Sequence, residues 1–213
     1  MHNPFTWPMA WLLQGSGIHP QMSGIAPRNF MPAVWWQYER TAAKECFGGK
    51  CWACGEGEAE EAHETYINSH ALWSYTGTAG LCNSCHSYIH LGRSAILTQT
   101  GKKPLEWLYG IMVHGVGVLT RAGYAPTNGQ LDVISAWTKQ MHAAGLDTEP
   151  ISAEAWDWEG LERAHPEGYV ESMTHYGLLG RAFKIQEVTG EVGVRKDNET
   201  VLERFLDNLA DLL

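Results

Sequence analysis

The stretch Leu81–His90 reads LCNSCHSYIH, and together with CWAC at 51–54 it decides how the chain is read. Each contains one Cys-x-x-Cys pair, Cys51/Cys54 and Cys82/Cys85. A pair at this spacing turns two thiolates toward one point, and two such pairs supply the four that complete a tetrahedral zinc site. With four sulfurs bound, the ion keeps no open position, so its role is structural. Disulfide staples are the other use of paired cysteines, but they belong to secreted chains, and nothing in this sequence suggests secretion. Cys46 falls outside both pairs and reads as an ordinary half-buried thiol. The 27 residues between Cys54 and Cys82 exceed the ~15–20 of a simple four-cysteine ribbon, so something extra is inserted between the knuckles.

Outward from the second knuckle, His86 directly follows Cys85, and His90 comes four residues later. A helix starting at the knuckle would stack both imidazoles on one face, which makes a half-site for a second divalent metal. The insert contributes EEAHETY, placing His63 and Glu64 side by side. On an extended strand, neighbours point to opposite faces, so only one of the two can turn toward His86 and His90 without a bend. His70 has no motif position and reads as structural or surface. His114, His142, His165 and His175 sit in unrelated contexts and are assigned no ligand role.

The combined pattern CWACG, EAHETY and LCNSCHSYIH resembles the zinc-containing branch of the HNH endonuclease family. The preceding PRNFMPAVWWQYER is similar to the helix that leads into the first knuckle in phage-type members, so the resemblance covers roughly residues 28–94. It implies a ββα-metal (treble-clef) core in which Cys51, Cys54, Cys82 and Cys85 hold structural zinc. His86 and His90 match the terminal metal-binding histidines, which would hold a catalytic Mg²⁺ or Mn²⁺ ion. The family's strand carries a metal ligand followed by a general-base histidine. Here His63 falls on the ligand position and Glu64 on the base position, so a carboxylate replaces an imidazole; a one-residue shift would make His63 the base. The motif's middle asparagine has no clear counterpart, with Asn68 lying close after the strand. The implied reaction is hydrolysis or nicking of DNA phosphodiesters, by a base-activated water attacking phosphorus in line.

Charge divides the chain in two. Of 213 residues, 15 are Lys or Arg and 24 are Asp or Glu, a net charge of −9 that excludes a strongly basic nucleic-acid coat. Residues 1–27 carry no charged side chain, and without a basic segment they cannot be a secretory signal. From Arg28 to Lys103, seven basic residues balance seven acidic ones, whereas from Pro104 onward eight basic residues face seventeen acidic ones. The whole excess of acid thus belongs to the second half, and a boundary is expected near residue 100. Glu56, Glu58, Glu60 and Glu61 read as a solvated hairpin turn. Arg93, Lys102 and Lys103, with Arg28, Arg40, Lys44 and Lys50 behind them, are the candidates for phosphate contact. Trp35, Trp36, Trp52 and Trp73 read as core packing, with base stacking the alternative for Trp52 and Trp73.

The second half carries no chemical motif. Periodicity predicts a helix from Pro104 to a stop at Gly123, weakened by Gly115 and Gly117, and another from Asn128 to a stop at Gly145. A hairpin turning near Thr189 and Gly190 follows. Last, a helix capped by Asn198 carries a stripe of Leu202, Phe205, Leu206, Leu209 and Leu213. The expectation is therefore an α+β chain of three parts: an uncharged arm over 1–27, a zinc-stapled HNH-like module over 28–95, and a mainly helical, acidic α/β region over 96–213. The expected function is a metal-dependent endonuclease with DNA as partner. The alternative is a catalytically inactive zinc module that binds protein. The acidic region suggests a protein partner or a homodimer. No window reaches the ~18 apolar residues of a membrane span, so the chain is read as cytoplasmic, in the host cytoplasm if phage-encoded.

Overall fold

Helices and strands are laid down outward from the two knuckles. The computed structural model describes residues 7–14, 32–69, 72–152, 184–188 and 191–192, and the architecture is α+β. Helix α1 (Ala33–Glu45) runs into a 3-10 turn at Cys46–Gly49. An isolated antiparallel bridge between Lys50 and Glu58 then closes the first knuckle as a hairpin loop. Strand β1 (Glu61–Ser69) pairs antiparallel with β2 (Leu72–Leu81), from Glu61↔Leu81 to Ser69↔Leu72, with one register shift between Thr65 and Tyr66. β2 leads straight into Cys82, which caps helix α2 (Asn83–Ile89). A kink at His90, with φ −95° and ψ 39°, separates α2 from α3 (Leu91–Gln99). Helices α4 (Leu105–Arg121) and α5 (Asn128–Ala143) follow. Strands β3 (Lys184–Val188) and β4 (Glu191–Val192) extend the sheet in the order β1-β2-β3-β4. Their pairing, Glu187↔Val192 and Val188↔Glu191, is that of the hairpin expected around residues 189 and 190.

Both long helices end where the sequence places their stops, for a local reason. Gly123 and Gly145 adopt φ of 81° and 80°, the left-handed conformation that glycine reaches without a Cβ penalty. Each closes its helix with paired bonds: Gly123 N donates to Thr120 O and Tyr124 N to Leu119 O, while Gly145 N donates to His142 O and Leu146 N to Met141 O. α5 begins with a reciprocal capping box, Thr127 N donating to Gln130 Oε1 at 2.9 Å and Gln130 N to Thr127 Oγ1 at 3.3 Å.

One continuous core joins the knuckles to the later helices. Trp52, Leu81, Cys85, Tyr88, Leu108, Met112, Leu119 and Met141 all lie in it. Trp52 is wholly buried and donates its indole N–H to Ala43 O at 2.9 Å, tying the first knuckle to α1; it is core and offers no face for base stacking. Met9–Leu13, within the uncharged stretch over 1–27, are all five buried; an apolar stretch without charges is as well suited to a core as to an arm. Met9 N donates to Trp52 O at 2.7 Å, and Leu13 O accepts from Gln130 Nε2 at 2.6 Å, so this segment bridges the first knuckle and α5. The boundary after residue 95 falls inside α3, and α2 packs against α4 across it. The charge break near residue 100 is a property of surface residues, which say nothing of how the apolar faces beneath them pair.

Arg28, His70, His165, His175 and the terminal stripe from Asn198 to Leu213 lie outside the described residues. Among the described residues, no helix is long and apolar enough to cross a membrane.

Candidate metal centre

Two clusters of metal-ligating side chains flank α2. In the first, the sulfurs of Cys51, Cys54, Cys82 and Cys85 all lie within 4.8 Å of one another, and all four residues are buried. Cys51 and Cys54 come from the hairpin loop closed by Lys50 and Glu58, Cys82 and Cys85 from the first turn of α2. The loop lies directly over the second knuckle: a Cβ on Gly57 would fall 2.7 Å from the Cβ of Cys82, so only glycine fits there. Cys54 Sγ and Cys82 Sγ are 3.9 Å apart, against about 3.8 Å between two sulfurs bound tetrahedrally at ~2.3 Å. The donor set and its spacing therefore suit a metal ion such as zinc.

The four thiols divide their protons unequally. Cys54 is pushed well down by hydrogen bonds from Cys51, Cys82 and Cys85. Cys51 is lowered to about 6, since Cys54 raises it while the Cys82 and Cys85 thiols together lower it more. Cys82 and Cys85 are held well up, chiefly by their bonds to Cys51 and Cys54. Mutual hydrogen bonding among the four thiols thus lowers two of them, and thiolate character is what a cation at this point requires. Cys46 lies outside the cluster, half-buried, with its thiol raised by burial, as an ordinary cysteine would be.

The second cluster joins His63 of β1 with His86 and His90 of α2 and the kink that follows it. Ring nitrogens of the three approach within 4.8 Å of one another. Ring centroids are 5.4 Å apart for His63–His86, 5.0 Å for His63–His90 and 4.9 Å for His86–His90. The i, i+4 spacing sets His86 and His90 on one face with their rings edge-on at 89°, and the backbone preserves it, His90 N donating to His86 O at 3.3 Å. His63 reaches the pair because its strand begins beside the end of β2, opposite Ala79, three residues before Cys82. His63 is buried, while His86 and His90 are half-exposed. The four-sulfur cluster is sealed; the three-nitrogen cluster has a solvent side.

Glu64 is the residue the geometry separates from this group. It is buried and pairs with Thr78 on the regular part of the strand, so alternation turns it to the face opposite His63. Its carboxylate is not among the converging ligand atoms. Asn68 lies within β1 rather than after it, five residues or roughly 16 Å of strand from His63. Two members of the acidic run have partners: Glu56 lies 3.9 Å from Arg121, and Glu60 accepts from the Asn83 amide. Among the basic candidates, Arg93, Lys102 and Lys103 are exposed, with Arg93 three residues beyond His90 and Lys103 Nζ 5.2 Å from the centre of the Trp107 ring.

Sequence reasoning passed over one residue. His114 of α4 places its Nε2 3.2 Å from Cys85 Sγ. The helix can approach so closely because its next residue is Gly115, where a Cβ would fall 2.1 Å from the Tyr88 ring. A histidine followed by a glycine inside an otherwise apolar helix was the available signal. No protein-family model, curated protein or solved structure matches this chain.

Proposed function

We propose that the chain is a metal-dependent endonuclease of the HNH type that nicks or cuts DNA, built on a treble-clef ββα-metal core. The observation that carries this reading is the meeting of His63, His86 and His90 on the half-open side of α2, beside a sealed cluster of four cysteines. A strand pair running into a capped helix, with thiols at the junction and imidazoles further along, is the arrangement the resemblance implies. In this reading Cys51, Cys54, Cys82 and Cys85 hold zinc. His63, His86 and His90 hold a Mg²⁺ or Mn²⁺ ion, which when bound supplies Lewis-acid polarisation of a phosphoryl oxygen and offsets charge on the leaving oxygen.

The chain's own groups have separate tasks. The cysteines fix the angle between the hairpin and α2, and the i, i+4 spacing keeps the imidazoles of His86 on α2 and His90 at its end side by side. Burial holds the His63 ring in one orientation. Exposed Arg93 is the nearest basic residue along the chain to the His90 end of the cluster and is suited to a backbone phosphate. Glu64 remains the candidate for the proton-accepting role, which from the opposite face of β1 requires the strand to move or a water to intervene.

Supercoiled plasmid incubated with the protein and Mg²⁺ or Mn²⁺ tests the reading. The expected outcome is metal-dependent nicking that falls by at least about 100-fold in His86→Ala, in the range that positioned acid–base and electrostatic groups contribute, with zinc content unchanged. A Glu64→Ala variant that keeps full activity would assign the base role to another group. A zinc-loaded wild type that leaves the plasmid intact under both ions refutes the nuclease and favours the protein-binding module.

A further inference from the structure

The four-cysteine cluster has a neighbour that neither the knuckle pattern nor the nuclease reading uses. Four thiolates around one divalent ion leave two negative charges in a buried pocket, and buried charge is costly unless donors surround it. The knuckles supply part of that need themselves. The N–H of Cys54 bonds to the Cys51 sulfur, and the N–H of Cys85 to the Cys82 sulfur. Each of these bonds serves the first cysteine of its pair. Of the second cysteines, Cys85 is the one that His114 attends, its Nε2 lying 3.2 Å from Cys85 Sγ.

His114 is placed there by the packing of α4, not by either knuckle. Gly115 lets the helix close on Tyr88 of α2, and this contact sets the imidazole against Cys85. The ring is half-buried, and its nitrogens do not belong to the group of ligand atoms that converge on a common point, which holds the four sulfurs alone. It is therefore in position to touch a ligand without becoming one. A metal-bound sulfur has no proton to give, so a contact at this distance requires the hydrogen to be on His114 Nε2.

We propose that His114 is an outer-sphere hydrogen-bond donor to the four-cysteine site, with its Nε2–H directed at the Cys85 sulfur, so that α4 regulates how tightly the knuckles hold their metal. This rests on the reading of Cys51, Cys54, Cys82 and Cys85 as zinc ligands, but not on nuclease activity. His114 is a positioning residue in this role.

The test uses the full chain with His114→Phe, which keeps a ring but loses the donor, and His114→Gln, which restores an N–H near the Nε2 position. Zinc per chain, the rate of zinc transfer to a chromogenic chelator, and the sulfur-to-cobalt charge-transfer band of the Co²⁺-substituted protein are measured. The expected result is one zinc per chain in all three proteins. Transfer should be about 10–100-fold faster in His114→Phe, the range in which lost outer-sphere partners act. The cobalt band should move to lower energy in His114→Phe as the sulfur becomes the stronger donor, and His114→Gln should recover most of both changes. Equal transfer rates and an unmoved band overturn the proposal. Zinc-free but folded His114→Phe also overturns it, by making His114 a ligand. Should His114→Phe fail to fold, His114→Asn, too short to reach Cys85, is compared with His114→Gln on the same readouts, and identical behaviour rejects the role. A wild type that binds no zinc removes the cysteine reading itself, an outcome distinct from all of these.

Discussion

Gly115 shows how a residue with no side chain can determine where others lie. Its hydrogen faces the Tyr88 ring, and three ring atoms lie within 2.5 Å of where a Cβ would be. Gly115→Ala would gain about 1 kcal/mol of helix propensity, but forcing a methyl group into this contact costs typically 1–3 kcal/mol or more. With ring atoms this close the cost lies at the upper end, about 3 kcal/mol, and after subtracting the propensity gain chemical denaturation should show Gly115→Ala destabilised by about 2 kcal/mol. Gly110 of the same helix is exposed, with nothing within 4 Å of its Cβ position, so Gly110→Ala should be stabilised by up to about 1 kcal/mol. Opposite signs in one helix would separate close approach from propensity. In the sequence Gly115 reads only as a weak point in a helical pattern. Propensity is local and legible, while the ring waiting on another helix is neither. His114 was missed for the same reason. The pairs Cys51/Cys54, Cys82/Cys85 and His86/His90 were legible because fixed spacing along a tight turn or a helix sets each pair together, whereas His63 was legible only through the resemblance of the combined pattern, since strand pairing brings it to the histidines.

At the scale of elements, the two helices between residues 104 and 145 were read correctly because their ends are marked by local chemistry. α4 begins after Pro104 and α5 after Thr127, and both stop at left-handed glycines. The capping box accounts for part of the stability of α5, since Thr127 satisfies a backbone donor that the helix leaves open. Thr127→Ala should cost about 1 kcal/mol, measurable as a lower denaturation midpoint with an unchanged slope. What remained hidden was the pairing of elements. Met9–Leu13 carry no alternation or cap that distinguishes a buried turn from an extended arm, and only their contacts with Trp52 and Gln130 place them in the core. The kink at His90 was equally unmarked. One continuous helix from Asn83 to Gln99 would fit the sequence as well, yet His90 ends α2 and caps α3.

The described residues are organised around the sealed sulfurs. They join the first knuckle to α2, and the same core continues through α4 to α5. In the reading of these sulfurs as a zinc site, binding energy is largely folding energy. Cys85→Ser, or exhaustive chelation of the wild type, should then abolish cooperative thermal unfolding followed by circular dichroism. The effect should extend to α4, which packs against the helix that carries Cys85. Loading also depends on pH in a definite direction. Cys82 and Cys85 hold their protons more firmly than ordinary thiols do, so a metal must displace those protons to bind. Zinc affinity should rise with pH through the neutral range and fall toward acid, and unbuffered solutions should acidify on titration with zinc. Affinity that stays flat between pH 6 and 8 would contradict a site of this composition.

The pairing of β1 with β2 has one more consequence, which concerns the chemical hardness of the half-open site. Side chains on a strand alternate, so the ring of His63 faces its partners by parity alone, and the carboxylate one place along is kept off that face by the same rule. Sliding β1 by a single residue against its neighbour, as a deletion between Ala59 and Ala62 would do, exchanges the two. In the reading of the three histidines as a metal site, three nitrogen donors would become two nitrogens and an oxygen, and the preference for hard ions such as manganese and magnesium would be strengthened. Shortening the link between knuckle and strand is thus a way to change the donor set without altering any ligand by substitution.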